Sequence, residues 1–534
     1  MTEMTTRALT AWVPTGDVTA LASAALAFLD TASTAFGRAT AYNDRQTAQD
    51  AELAVHDALL ATDRHLYALL LTLPGVTDRA RQVGVKNLLG VGSPSDNVDV
   101  EMERTVLARL VANLPATRVF KLFVALRAGD EKAGIHRANN ARTRKLILRV
   151  ILGSPKLELW TVKYRTKMAE SLTHAWGQRT TSIVRAILSR ASESWTSTEQ
   201  AIIRKAIDRF ARNVDTARAC ITFALRATRI DAHVTTGINT ANTTPAAGVS
   251  PRFLLLASYE AAKRDLALGK RLPLEVLEGI RSTFHKDVPS ATLLELTKDT
   301  LTTAQRINVQ RRAAVADVEV RMDPTAYDAV RLYLYAFEMG MTREILEALI
   351  ERAKKAATAL RLGYGRIGIL LDASASMAGS REQPLRPMAT ALALRDVLAH
   401  AANATIVRCG GDADGMLVRP RGATSLAEGL VDLVSANVDA IFVLSDGYEN
   451  GPSGRFAEVV AALRNMAIAT PIFHLNPVFA AESAGVRSLA DASVVTLPVN
   501  APEALGLAFI RGLLQTEPHR GLTALAGLAL PERT

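Results

Sequence analysis

Apolar residues recur at i, i+3, i+4 and i+7 through most of the first 360 positions, the period of one helix face. The spacing predicts helices over 65–75, 103–115, 118–129, 144–155, 182–192, 199–211 and 217–229, and one long helix over 328–360. Pro74-Gly75, Pro115, Gly129 and Ser154-Pro155 close several of them. Proline lacks the amide hydrogen that a helix interior needs, and glycine lets the backbone turn. No stretch in this part alternates with period two. Amphipathic helices with short breaks predict stacked helical pairs, an all-α, HEAT-like array. The chain shows no strict repeat period, so an irregular all-α domain fits the same pattern. The segments 90–101 and 233–248 read as loops.

After residue 360 the pattern changes. Short apolar runs of strand length occupy 366–371 (RIGILL), 404–409, 439–444, 471–475 and 493–497. Helical spacing fills 386–402, 425–438, 456–467 and 502–514. Strands that alternate with helices predict a doubly wound α/β sheet, mostly parallel, with ligands at the carboxyl ends of its strands. The chain is therefore expected to be multidomain, all-α over 1–360 and α/β over 361–534. The GDADG segment, 411–415, reads as a turn. The apolar run 522–530 is expected to pack back onto the helices; an independent last helix is the alternative.

Composition adds limits. Of 534 residues, 49% are hydrophobic and 22% charged, which excludes wholesale disorder. Charge is divided unevenly. Residues 361–534 hold 14 basic and 16 acidic side chains, net −2, and no lysine follows Lys355. Of the totals of 63 and 53, that leaves 49 basic and 37 acidic for the first 360, net +12. A basic helical part suggests a polyanionic partner. Two cysteines, Cys220 and Cys409, exclude a disulfide framework and any CxxC metal site. The first residues lack a basic segment followed by an apolar one, and no apolar run is long enough for a bilayer. A cytoplasmic, soluble protein with no membrane partner is expected.

The candidate chemistry lies at strand ends. Asp372, Ser374 and Ser376 form D-x-S-x-S directly after the strand at 366–371. Thr424 lies in a loop that opens a helix, and Asp446 ends the strand IFVLSD. Two carboxylates and three hydroxyls form the oxygen set that Mg²⁺ or another hard divalent cation takes. Coordination rich in hydroxyls leaves the ion partly unneutralised, so it can accept an anionic oxygen from a partner. Read singly, the same residues are helix caps and turn residues.

A second candidate set is basic. Arg137, Arg142, Arg144, Lys145 and Arg149 form the densest run, Arg142, Lys145 and Arg149 on one helix face, with Leu146 intruding. Lys163, Arg165, Lys167 and His174 follow, with Tyr164 and Trp176 as stacking groups; Lys163 and Lys167 share a face if the segment is helical. Arg204 and Lys205 head a third group with Arg209 and Arg212. Such residues bind phosphates where they converge, and otherwise form solvated helix faces. No P-loop or GxSxG is present. His474 reads as a core or strand-end residue, and no enzyme activity is expected.

The D-x-S-x-S, Thr424 and Asp446 set resembles the metal-ion-dependent adhesion site of von Willebrand factor A domains. Basic helices followed by such a domain resemble the Ro ribonucleoprotein family, bacterial members included, whose helical portion is the TROVE module. Pro251, Phe253 and Tyr259 within 250–263, and the TVKYRTK segment 161–167, are similar to family stretches. The resemblance implies a ring of HEAT-like helices whose ends are joined by the A domain. It implies binding of small noncoding Y RNA, and of misfolded or structured RNA through single-stranded ends. It also implies work beside exoribonucleases in RNA quality control, decay and stress response. A reading from another class is a metal-dependent protein-interaction adaptor that binds no RNA.

Overall fold

The computed structural model describes residues 16–32, 45–73, 76–90, 97–128, 138–226, 253–360, 364–381, 383–477, 489, 494–499 and 501–528. Helices run to Ala359 and the first strand begins at Arg366, where the sequence pattern changes. Compactness groups the chain in another way. One unit comprises 1–87, 93–106 and 323–534; the other comprises 88–92 and 107–322.

In the first unit, α1 (Val18–Ala32), α2 (Arg45–Thr62) and α3 (Arg64–Leu70) are followed by α4 (Asp78–Gly90) and α5 (Asn97–Asn113), which run across the division of units. Leu21, Ala25, Phe28, Leu29 and Ala32 of α1 are buried, spaced by three or four as one helix face requires. The 90–101 loop is shorter than expected, because α5 already begins at Asn97.

The second unit continues with α6 (Ala116–Ala128), α7 (Ala141–Leu152), α8 (Leu157–Lys163), α9 (Arg165–Trp176), α10 (Gln178–Leu188), α11 (Ser197–Ile203) and α12 (Val214–Ala224). Then come α13 (Leu254–Ala262), α14 (Leu274–Phe284), α15 (Ser290–Thr297) and α16 (Thr303–Val315). Local chemistry sets several starts. Asn140 caps α7 through the Thr143 amide, and Thr196 with Glu199 forms a reciprocal capping box on α11. The helix expected over 199–211 is interrupted: after α11 the chain makes a π turn, Arg204–Asp208. Leu266, Leu272, Leu277, Leu293, Leu294 and Val309 form a core beneath α13 to α16.

Back in the first unit, the single helix expected over 328–360 is two, α17 (Ala329–Met339) and α18 (Arg343–Ala359). Gly340 takes φ 95°, which an L side chain resists, and Thr342 caps α18 through the Ile345 amide. Then follow β1 (Arg366–Asp372), a small β2–β3 ribbon (Gly379–Ser380, Gln383–Pro384), α19 (Arg386–Ala401) and β4 (Asn403–Cys409). The 411–415 segment is more than a turn. Asp412–Asp414 is a strand, β5, paired antiparallel with β6 (Leu417–Arg419). The remaining elements are α20 (Leu426–Ser435), β7 (Ala440–Leu444), α21 (Arg455–Asn465), β8 (Ile472–Asn476), β9 (Val495–Pro498), α22 (Leu505–Thr516) and α23 (Pro518–Leu528).

The main sheet has five strands, all parallel, in the order β4-β1-β7-β8-β9. The chain leaves β1 for β4 on one side and returns to β7 on the other. The switch point thus lies at the carboxyl ends of β1 and β7. Helix α20 sits close on β1: a Cβ at Gly429 would come within 2.5 Å of Leu370 Cδ1. Helices α17 and α18 pack on α19. Helix α23 packs on α22, α1 and α3, with Leu522 and Leu525 fully buried. The expected packing-back of 522–530 is therefore seen as far as residue 528; residues 529 and 530 lie outside the described ones.

Candidate metal centre and basic surface

Three loops meet at the switch point. The first follows β1. Asp372 is fully buried; its Oδ1 accepts the Ser374 amide at 2.9 Å and its Oδ2 accepts the Ser445 hydroxyl at 2.7 Å. Ser374 Oγ lies 3.0 Å from Ser376 Oγ. The second loop carries Thr424. The Ala375 amide donates to the Gly422 carbonyl at 3.0 Å and ties this loop to the first. The third follows β7. The Asp446 Oδ1 accepts the Tyr448 amide at 3.0 Å. The Gly451 amide donates to the Thr424 carbonyl at 3.1 Å, and the Thr424 amide to Asn450 Oδ1 at 3.4 Å. Asp372, Ser374, Ser376, Thr424 and Asp446 thus stand on loops that are hydrogen-bonded to one another.

Burial raises the Asp372 carboxyl above its usual range, and the hydrogen bonds from Ser445 and Ser374 work against that shift. Thr424 is fully buried, and its hydroxyl has no hydrogen-bond partner among the described residues. A buried hydroxyl without a partner is costly, as is a buried carboxylate, unless something engages them. A hard cation would, and the all-oxygen set suits Mg²⁺. Among the described residues, no three His, Cys, Asp or Glu side chains gather as a metal cluster. The present set differs in that three of its five side chains are hydroxyls.

No protein-family model matches this chain, and no curated protein matches it. Its function is argued from the residues alone.

The basic candidates are placed unevenly. Arg137 lies outside the described residues. On α7, Lys145 and Arg149 are exposed and Arg142 is half-buried. Leu146, which intrudes on the basic face in sequence, is buried at 8% exposure. Lys163 and Lys167 do not share a helix face. Tyr164, at φ −128° and ψ 34°, separates α8 from α9. Lys163 pairs with Glu275 at 3.1 Å and Lys167 with Glu170 at 3.2 Å. Arg165 is half-buried and lies over the Phe223 ring. His174 is buried at 6% exposure and does not offer its ring to a ligand at the surface. Tyr164 packs on Phe120, 5.4 Å between ring centroids, and Trp176 donates to the Ala206 carbonyl at 3.2 Å. Both proposed stacking rings are therefore engaged internally. Arg204 and Lys205 are exposed on the π turn.

The residues that hold these three loops together carry no signal of that role in the sequence. Ser445 was readable only as the neighbour of Asp446, and Asn450 as a loop residue. His474 is a core residue, as expected, but both its ring nitrogens are bonded, to Thr496 Oγ1 at 3.0 Å and to the Ser445 carbonyl at 2.9 Å. Among the described residues, no helix is long and apolar enough to cross a membrane.

Proposed function

We propose that this protein is a non-catalytic RNA-binding protein of the Ro type. Its helical part is a HEAT-like TROVE module and its α/β part a von Willebrand A-type domain. Small noncoding, Y-type RNA and misfolded RNA with single-stranded ends are its ligands, in quality control and decay beside exoribonucleases. The observation that carries this reading is the confinement of the positive charge. The net +12 lies wholly in the first 360 residues, and Lys145, Arg149, Arg204 and Lys205 present it at the surface. Phosphate binding draws its strength from such groups and from the counterions they release.

The test is a salt titration of binding to a structured RNA with a single-stranded 3′ end. Replacing Lys145, Arg149, Arg204 and Lys205 with alanine is expected to lower the slope of log K against log salt by about 3, at roughly 0.7–0.9 per lost contact. An unchanged slope places the RNA elsewhere, and no measurable binding removes the reading.

The orphaned Thr424 hydroxyl favours a second reading, for the α/β part alone. Asp372, Ser374, Ser376, Thr424 and Asp446 would hold Mg²⁺, which supplies a positive centre able to take a carboxylate from a partner protein. In that adaptor reading the basic helices bind no RNA, and purified protein carries no nucleic acid that RNase removes.

A further inference from the structure

One chain of hydrogen bonds crosses the carboxyl edge of the main sheet in strand order, from β9 to β8 to β7 to β1. Its direction follows from the acceptors. The Ser445 carbonyl can only accept, so the His474 Nε2 facing it at 2.9 Å carries the proton. The Nδ1 of a neutral ring is then an acceptor, and the Thr496 hydroxyl, 3.0 Å away, donates to it. Thr496 and His474 are direct partners in the β8–β9 register. Ser445 receives the Gly447 amide on its Oγ at 3.1 Å and passes its own hydrogen to Asp372 Oδ2 at 2.7 Å. Every donor in the chain points toward Asp372.

A parallel arm starts two residues along β8. Side chains at i and i+2 of a strand share a face. Asn476 accordingly lies on the His474 side, and its Nδ2 donates to the Asp446 carbonyl at 3.2 Å. His474 and Asn476 therefore hold two successive carbonyls, those of Ser445 and Asp446, at the turn where β7 gives way to its loop. His474 is fully buried and Asn476 is 2% exposed, so neither is available to a ligand from solvent. Burial also lowers the His474 ring to about 4, which keeps it neutral at physiological pH.

We propose that His474 and Asn476 are the positioning residues of the metal centre: by clamping the Ser445-Asp446 segment they fix the Asp446 carboxylate and, through Ser445, the Asp372 carboxylate in the arrangement a divalent cation needs. The inference rests on the metal reading of Asp372, Ser374, Ser376, Thr424 and Asp446. It assigns a role to two residues that touch neither the ion nor its partner. Groups that orient metal ligands commonly change affinity by about 10- to 100-fold when removed.

The experiment measures Mn²⁺ binding to the full chain by the loss of the free-ion paramagnetic resonance signal, with thermal midpoints taken in chelator. Asp372→Ala is expected to abolish binding. His474→Phe and Asn476→Leu are expected to raise the Kd by about tenfold or more. His474→Gln, whose amide can donate where Nε2 did, is expected to restore most of that loss. Ser445→Ala, a smaller change, carries the same expectation should His474→Phe fail to fold. Wild-type protein that binds no Mn²⁺ overturns the metal reading. If wild type binds and Asp372→Ala does not, two results overturn the positioning role alone. One is His474→Phe, Asn476→Leu and Ser445→Ala binding as wild type does. The other is His474→Gln binding no better than His474→Phe.

Discussion

The guanidinium of Arg165 lies over the ring of Phe223, 4.2 Å from its centroid. Phe223 in turn meets Tyr259 edge-on, 5.3 Å between centroids, so Arg165 joins α9 to α12 and, through that ring, to α13. Burial lowers the Arg165 pKa, and its Nε has no hydrogen-bond partner among the described residues. This cation is spent on packing as much as on charge. Arg165→Ala is therefore expected to cost about 1–2 kcal/mol of stability in urea unfolding, from the lost cation–π contact and the lost packing of its stem. Lys145→Ala, on an exposed face, should stay within about 0.5 kcal/mol. Equal, small effects of both would show that the Phe223 contact contributes nothing.

Thr424 offers a change with opposite signs in two conditions. Valine keeps the shape of the side chain and removes a buried hydroxyl that has no partner. In chelator, Thr424→Val should leave the thermal midpoint unchanged or raised, since the removed group cost about 1–3 kcal/mol to bury unmet. With Mg²⁺ the rise in midpoint expected of wild type should vanish, because an ion that binds only the folded state stabilises it through its affinity. A variant that keeps the full Mg²⁺ increment would take Thr424 out of the ligand set.

Acid should destabilise the N-terminal helices through His56. This ring is fully buried, 5.1 Å from the Phe28 ring, and its Nδ1 lies 2.7 Å from the Tyr67 hydroxyl. Burial, aided by Arg79 and Lys86, lowers its pKa to about 3. The unfolded chain protonates near 6.5 and the folded one only near 3, so the unfolded state binds more protons between those values. Stability is complete above about pH 6.5 and is lost as pH falls through that window. The loss from His56 alone is about 2 kcal/mol between pH 7.5 and 5. His56→Leu should flatten the dependence of the midpoint on pH over that range; an equal fall in both proteins would assign the acid sensitivity to other groups.

Removing α23 tests the C-terminal packing. Leu522 and Leu525 each bury a side chain worth about 2–3 kcal/mol against α22, α1 and α3. A chain ending at Gln515 should melt at lower temperature and be cut faster by protease within α1 to α3. An unchanged midpoint and cutting pattern would make α23 dispensable.

Much of this architecture was legible because its signals are local. The runs RIGILL and AIFVL stand out because the central strands of a parallel sheet are buried on both faces and need no polar alternation. Asp372 and Asp446 could be singled out because candidate sites in such sheets lie where the strands end, and Thr424 because it opens the next helix. The helix break at Tyr164 was not legible: neither proline nor glycine marks it. The roles of Ser445, His474 and Asn476 depend on which strands are neighbours, a fact about tertiary pairing that no spacing along the chain encodes. The engagement of Arg165 by Phe223 is hidden for the same reason. On the sequence, Arg165 is one cation in a basic cluster.

The first unit is discontinuous in sequence, being built from 1–87, 93–106 and 323–534, whereas the second is nearly one unbroken stretch. During synthesis the second unit can complete itself as soon as it has left the ribosome. Helices α1 and α3 cannot, because α22 and α23, which pack on them, begin only at Leu505. At about 5–20 residues per second that delay is on the order of tens of seconds. For that time α1 and α3 lack part of the packing they have in the finished fold. Burial of α1 and α3 thus waits on segments encoded far downstream of them.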